Sequence, residues 1–253
     1  MKKYLITIEE TNSPRLKQFF AQSCFNQLQN DFSSFGIIGN NLTVKEYFSR
    51  AVSNRICPLT PGELGCALSH LSALQDFLES DDEYAVIFED DVIETLTLNL
   101  DELEKKVKAL DLSSGFLLSL GGIQMGICYK VRGKLLQKKL YEKNILKVDP
   151  DFLQYLVYAY AYIVDKKMAQ LLLQHHGEQP KIYDHWYPIL KLDPTVNFYG
   201  TFLFDHPKMS DDIISKSYLE QERLQVYKRK RPRQKFFQYI RRKLKRYTLD
   251  KFK

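Results

Sequence analysis

The chain is poor in the residues that build cross-linked or repetitive folds. Its 253 residues hold only four cysteines, Cys24, Cys57, Cys66 and Cys128, and none forms a C-x-x-C pair. That spacing argues against a zinc ribbon, a redox motif or a disulfide framework, and it fits a reducing compartment. Eleven glycines and nine prolines are too few for collagen-like or long disordered segments. There is no G-x-G-x-x-G, no Walker loop and no internal repeat, so dinucleotide-oxidoreductase and P-loop readings lose their main support. No stretch approaches the roughly 20 apolar residues that span a bilayer. The apolar run Tyr4–Ile8 stops at Glu9 and Glu10, too short for a signal-peptide core. The expectation is a cytoplasmic protein whose membrane contact, if any, is peripheral.

What is present is an ordinary globular composition, 44% apolar and 13% aromatic, enough to bury a full core. The charge is divided unevenly. From Arg223 to Lys253 there are 14 Lys/Arg against one acid, Asp250, a net of +13; subtracted from the whole-chain +6, this leaves −7 for residues 1–222. Two parts are therefore expected, a body over 1–222 and a basic tail over 223–253. In the tail, Phe236, Phe237, Ile240, Leu244 and Tyr247 fall within about 100° on a helical wheel. Around them stand Arg233, Lys235, Arg241 and Arg242, making a basic amphipathic helix suited to anionic lipid. A solvated tail or a nucleic-acid arm are the alternatives, but pure phosphate binding has no use for the apolar stripe.

Strand and helix signals alternate along the body, the pattern of an α/β fold. Residues 1–8 read as a strand, and Asn12-Ser13-Pro14 as a helix start. A short strand at 35–38 is expected before Gly39-Asn40-Asn41, and Val44–Val52 is ambiguous. Leu59–Ser80 is the clearest helix: Thr60, Pro61 and Glu63 sit at N-cap, N1 and N3, a capping box, with Leu64, Leu68, Leu71 and Leu78 on one stripe. Tyr84–Phe88 is a continuous apolar run, the mark of a strand buried on both faces in a parallel sheet. A helix over 100–110, a strand at 116–120 closed by Gly121-Gly122 and a polar hairpin-like region over 127–148 follow. After a strand at 158–164, Asp165 caps a helix reaching His175, and the last strand is expected at 196–204.

The apolar strand ends abruptly in Glu89-Asp90-Asp91. Open α/β sheets bind ligands beyond the carboxyl ends of their strands, and hard carboxylate oxygens suit Mg²⁺ or Mn²⁺ bridging a diphosphate. On this reading Asp91 is the metal ligand, Glu89 reaches a ribose or a metal-bound water, and Asp90 points to the opposite side. Solvated loop acids or a cap of the next helix are the bland alternatives, but three charges at a core edge are costly unless they gain a partner.

Four blocks then carry a resemblance: Pro61-Gly-Glu-Leu-Gly-Cys-Ala-Leu-Ser-His70, Ile87-Phe-Glu-Asp-Asp-Val92, Ala161-Tyr-Ile163 and Tyr183-Asp-His-Trp186. The chain resembles glycosyltransferase family 25, the bacterial lipooligosaccharide galactosyltransferases and their procollagen-modifying relatives, over roughly residues 1–215. The resemblance implies a GT-A-type, Rossmann-like nucleotide-diphospho-sugar transferase fold with a mostly parallel central sheet, a UDP-sugar donor and inversion at the anomeric carbon. It departs at Thr7, where members show Asn, and at Arg15, which stands one residue late; both are taken as donor contacts.

The same resemblance tips Glu63 and His70 toward the donor site, although Glu63 also closes a capping box and His70 also reads as a packed histidine. Gly62 offers a bare N–H to a phosphate, Ser69 is a weaker donor contact, and Cys66 is expected to pack. Glu89 and Asp90 complete the donor set. Asp184 is either an N-cap or the base that takes the acceptor proton, and the base reading is favoured. Tyr183 and Trp186 offer rings to an acceptor sugar, or are core. His206 is a second candidate metal ligand, as a late histidine is in some GT-A enzymes. Asp211 and Asp212 resemble a family S-D-I element, candidates for acceptor contacts.

The resulting expectation is a Mn²⁺- or Mg²⁺-dependent inverting transfer of galactose from UDP-galactose to a lipid-linked lipooligosaccharide or lipopolysaccharide core, in β-1,4 linkage, at the inner face of the bacterial inner membrane. The alternatives are a UDP-glucose or UDP-N-acetylhexosamine transferase, a metal-dependent phosphohydrolase, a glycan-binding relative without activity, or a nucleic-acid-binding protein working through its tail.

Overall fold

A computed structural model describes residues 1–207, Glu222 and residues 236–252. Nine strands form one sheet: β1 (Lys2–Ile6), β2 (Phe32–Phe35), β3 (Tyr84–Glu89), β4 (Ile93–Glu94), β5 (Phe116–Gly121), β6 (Gly133–Leu135), β7 (Leu146–Val148), β8 (Ala161–Asp165) and β9 (Asn197–Asp205). Their order is β2-β1-β3-β8-β5-β9-β7-β6, with β4 added to β9. Among the described residues six α-helices accompany them: α1 (Pro14–Ala21), α2 (Val44–Tyr47), α3 (Pro61–Glu79), α4 (Leu103–Leu110), α5 (Lys166–His176) and α6 (Phe236–Lys245).

The sheet is mixed, which corrects the expectation of a mostly parallel one. β1 runs parallel to β2 and β3, and β5 parallel to β9. β8 is inserted antiparallel between β3 and β5, and β4, β6 and β7 also pair antiparallel. An unbroken apolar run reports burial on both faces, and here β3 has that burial without having two parallel neighbours. β2 lies three residues earlier than expected, and the ambiguous segment after Thr43 is helical, with a second capping box made by Thr43 and Glu46.

Alternation along the central strands assigns the two faces. Tyr4 and Ile6, Ala85 and Ile87, and Tyr162 and Val164 pack with Leu74 and Phe77 of α3 and Met168 and Leu172 of α5. Leu5, Val86, Phe88 and Ile163 face the other way onto Leu16 and Phe19 of α1 and Leu103 and Val107 of α4. α3 begins as expected, with Thr60 as N-cap, Pro61 at N1 and the Thr60–Glu63 box closed in both directions. Leu59 and Leu64 share a third small cluster beneath its first turn.

Asp165 is a structural hub. It caps α5 through Met168 N–H (2.9 Å) and also accepts the Gly115 and Phe116 N–H groups, so one buried carboxylate ties α5 to the start of β5. The described part of the tail returns to the body. α6 lies beside the turn Pro150–Tyr155, with Lys245 bonded to Asp149 and Arg241 to Asp151, and Asp250 bridges to Gly133 of β6.

Candidate active site

The strand directions converge on one end of the sheet. β1 and β3 finish there at Ile6 and Glu89, which are register partners. Antiparallel β8 begins there, with Ala161 opposite Phe88 and Tyr160 O accepting the Glu89 N–H. β5 and β9 also end there, Gly121 pairing with Phe204. Gly121 permits this crowding: a Cβ at that position would collide with Phe204 O and the Tyr160 hydroxyl. Thr7, Glu89–Asp91, Tyr158–Tyr160, Gln124 and Asp205–His206 are thereby gathered beyond the strand tips, where α/β sheets place ligands.

The carboxylates are held individually. Asp90 accepts the Thr7 hydroxyl (2.5 Å) and Arg15 Nε (2.5 Å), while the other arm of the Arg15 guanidinium reaches Asp91 Oδ2 at 3.0 Å. Asp90 and Asp91 therefore flank one arginine from the first turn of α1, which corrects the expectation that they face opposite sides. The chain leaves β3 at Glu89 and turns, so strand alternation no longer governs them. Burial pushes Asp90 up to about 6 although Arg15 and Thr7 pull the other way. His206 Nε2 lies 3.2 Å from Asp91 Oδ2. Burial alone would lower His206, but the Asp91 hydrogen bond and charge win and raise it to about 9; they hold Asp91 below its ordinary value against burial.

One oxygen is left over. Asp91 Oδ1 is buried and has no hydrogen-bond partner among the described residues. A buried carboxylate oxygen without a donor is costly, and a hard divalent cation is the partner its chemistry suits. Asp91 fits the metal-ligand expectation on that ground. His206 fits once it gives up its proton, because only a neutral imidazole coordinates.

Glu89 turns to the α3 face, where His70 receives it: Nε2 to Glu89 Oε1 is 3.2 Å and Nδ1 to the Tyr162 hydroxyl is 3.0 Å. The imidazole is fully buried and stacked on Tyr183 at 4.1 Å. Asp184 accepts the Tyr158 N–H at 3.0 Å, and Tyr158 has φ 81°. A tyrosine in left-handed conformation costs on the order of 1–3 kcal/mol, and Asp184 helps hold it. The 3₁₀ turn Tyr187–Lys191 is entered at Trp186 with no side-chain cap, so the capping reading of Asp184 does not hold. The Tyr158 and Tyr160 rings lie 6.3 and 5.2 Å from the His206 ring, which links the Asp184 strut to the metal-ligand candidates.

Other expected site residues have different work. Tyr183 and Trp186, expected against an acceptor sugar, are 4% and 1% exposed; Tyr183 shares a 2.6 Å hydrogen bond with Tyr162 and its ring packs on Trp186. The core reading won for both, since α5 and α3 close over them. Glu63 is buried in the capping box of α3, its carboxylate on Thr60 N–H. Ser69 accepts the Ile37 N–H and donates to Gly65 O, joining α3 to the segment after β2. Gly62 N–H does bind an anion, the Glu222 carboxylate at 2.7 Å. Arg241 stays exposed while it pairs with Asp151, whereas Arg242 is buried and does not face outward as the membrane reading expected. Asp211, Asp212, Arg233 and Lys235 lie outside the described residues, as do the side chains of Phe236 and Phe237.

Sequence reasoning missed Tyr162, Tyr158 and Gln124. Gln124 donates to Asp205 Oδ1 (3.1 Å) and the Tyr160 hydroxyl (3.3 Å), and its own Oε1 is buried without a partner among the described residues. Only Gly121-Gly122 hinted at that corner.

A mixed α/β sheet that gathers buried carboxylates, an arginine and a histidine beyond its strand ends is the layout of a ligand-binding α/β enzyme. The family model of glycosyltransferase family 25, the LPS biosynthesis proteins, matches residues 1–187. The chain belongs to that family, and a sugar donor and a saccharide acceptor follow from the membership. The matched span includes every expected donor residue, Asp91 and Asp184, while His206 lies beyond it. No curated protein matches the chain.

Proposed function

We propose that the protein transfers galactose from UDP-galactose, with inversion, to a sugar hydroxyl of a lipooligosaccharide or lipopolysaccharide core. Family membership supports the transferase class, and galactose, inversion and the β-1,4 linkage follow the family resemblance described above. The observation that carries the donor site is the buried, unpartnered Asp91 Oδ1 beside Arg15 and His206. Asp91, with His206, would hold Mn²⁺ or Mg²⁺, which when bound supplies positive charge for a departing diphosphate. Arg15 neutralises Asp90 and Asp91 together and keeps the carboxylate pair from repelling. Asp184 is the group assigned to take the acceptor proton, as a single displacement requires a base opposite the leaving group.

The lipid-linked acceptor agrees with α6 and the turn after it, where Ile240, Leu244 and Tyr247 are exposed while Lys243 and Arg246 flank them in solvent. No helix among the described residues is long and apolar enough to cross a membrane, so the association we propose is peripheral, on the cytoplasmic face of the inner membrane.

The direct test is UDP release from UDP-galactose with added Mn²⁺ and an oligosaccharide acceptor. Asp91→Asn should abolish release at every metal concentration. Because it also removes the buried charge that pairs with Arg15 and His206, it should melt lower, and circular dichroism at the assay temperature checks that the variant is folded. Undiminished turnover at saturating Mn²⁺ would remove the metal role. Release without an acceptor-linked product would identify a hydrolase instead.

A further inference from the structure

Three side chains on the α3 side of the acidic triplet form a second constellation. Cys66 and His70 stand one helical turn apart on α3, and Glu89 closes the triangle from the end of β3. The Cys66 Sγ, a His70 ring nitrogen and a Glu89 carboxylate oxygen all lie within 4.8 Å of one another. A tetrahedral zinc ion with its usual bond lengths holds such atoms roughly 3.3–3.6 Å apart, and the His70–Glu89 edge is already 3.2 Å. The thiol, within 4.8 Å of both partners, closes the remaining distance to complete the set.

The surroundings are arranged as a metal-binding histidine needs. His70 Nδ1 is held by the Tyr162 hydroxyl, which is paired in turn with the Tyr183 hydroxyl at 2.6 Å, and the ring is clamped by Tyr183 stacking at 4.1 Å. A hydrogen bond to the far nitrogen and a fixed ring plane orient and strengthen a histidine ligand. The Glu89 side chain is 24% exposed while His70 is fully buried, so an ion has a way in over the carboxylate. Sulfur, imidazole and one carboxylate suit zinc and disfavour magnesium or manganese.

We infer that Cys66, His70 and Glu89 form a binding site for a thiophilic divalent cation of the zinc class, separate from the hard-cation position at Asp91. The fourth position is left to water. On binding, the Cys66 thiol releases its proton to solvent and a sulfur–metal bond forms. His70 coordinates through Nε2, with Nδ1–H donating to the Tyr162 hydroxyl.

Cobalt is the probe, because Co²⁺ bound to a thiolate shows a sulfur-to-metal charge-transfer absorption in the near ultraviolet. Titration of the full chain with Co²⁺ should produce that band at one equivalent, and Zn²⁺ should displace it. Cys57→Ser, removing the exposed cysteine, should leave the band intact, and Cys66→Ser should erase it. Tyr162→Phe, which removes the hydroxyl that joins His70 Nδ1 to the Tyr183 hydroxyl, should weaken binding about 10- to 100-fold. A native chain without the band, or a band lost in Cys57→Ser and kept in Cys66→Ser, would overturn the assignment. The readout needs no sugar donor, so it stands or falls apart from the transferase reading.

Discussion

Asp184 has one observed role and one proposed role, which a pair of substitutions separates. Its carboxylate accepts the Tyr158 N–H, the bond that holds a tyrosine at φ 81°, and it is the proposed base. Asp184→Asn keeps an oxygen able to accept that N–H but removes the basicity. General base catalysis contributes about 10²- to 10⁴-fold, so turnover should fall by that factor, a barrier increase of about 3–5 kcal/mol. Stability should change by less than about 1 kcal/mol, within the range of one net hydrogen bond. Asp184→Ala loses both functions. The stranded Tyr158 N–H costs about 1–3 kcal/mol, so this variant should also melt several degrees lower. The assay is steady-state UDP release at saturating donor and acceptor, run beside thermal denaturation of the same preparations. If Asp184→Asn turns over like the native chain while Asp184→Ala is unstable, Asp184 is a strut for the Tyr158 corner and the base lies elsewhere.

Two further outcomes follow from buried histidines and from the tail. Burial depresses His175 to about 4, assisted by Lys181, and His176 to about 3, assisted by His175; Lys181 N–H donates to His176 Nδ1. The folded state therefore resists protonation that the unfolded chain accepts below about pH 6.5, so stability is full above that pH and falls as the solution is acidified. Urea unfolding should show a loss of up to about 2 kcal/mol per histidine between pH 7 and pH 5, and an unchanged midpoint would contradict neutral burial of the pair. For the tail, flotation with anionic vesicles should weaken in Ile240→Glu and Leu244→Glu, whose side chains are exposed. Equal flotation of these variants would leave charge alone as the cause of binding.

Where the signal was local, the sequence was readable. The capping box at Thr60 and Glu63, the Pro14 helix start and the Asp165 cap each depend on residues within one turn of each other, and each stands as expected. Strand positions followed from apolar runs, but strand direction did not. Whether β8 meets β3 head-on or side by side depends on how the long connection between them is routed, and no period in β8 itself records that. The same limit hid the true use of Tyr183 and Trp186. An aromatic cluster beside an acid reads equally as a sugar platform or as core, and only the closure of α3 and α5 over it decides.

The direction of β8 is also what makes the site. Were it parallel, its carboxyl end would carry Asp165 to the tips of β1 and β3, and the segment holding Tyr158 and Tyr160 would lie at the opposite edge. Because it runs antiparallel, its amino end places the strained Tyr158, held by Asp184, beside His206 and Asp91. One carboxylate from a distant loop thus reaches the Tyr158 corner beside His206 through a backbone N–H. The Glu89–His70 pair lies on one face of the same strand end and the Asp90–Arg15 pair on the other. Asp91 is left between them with one buried oxygen that no donor among the described residues meets; Gln124 Oε1 shares that lack, but the Asp91 oxygen belongs to a carboxylate beside His206, the position the proposed cation would take.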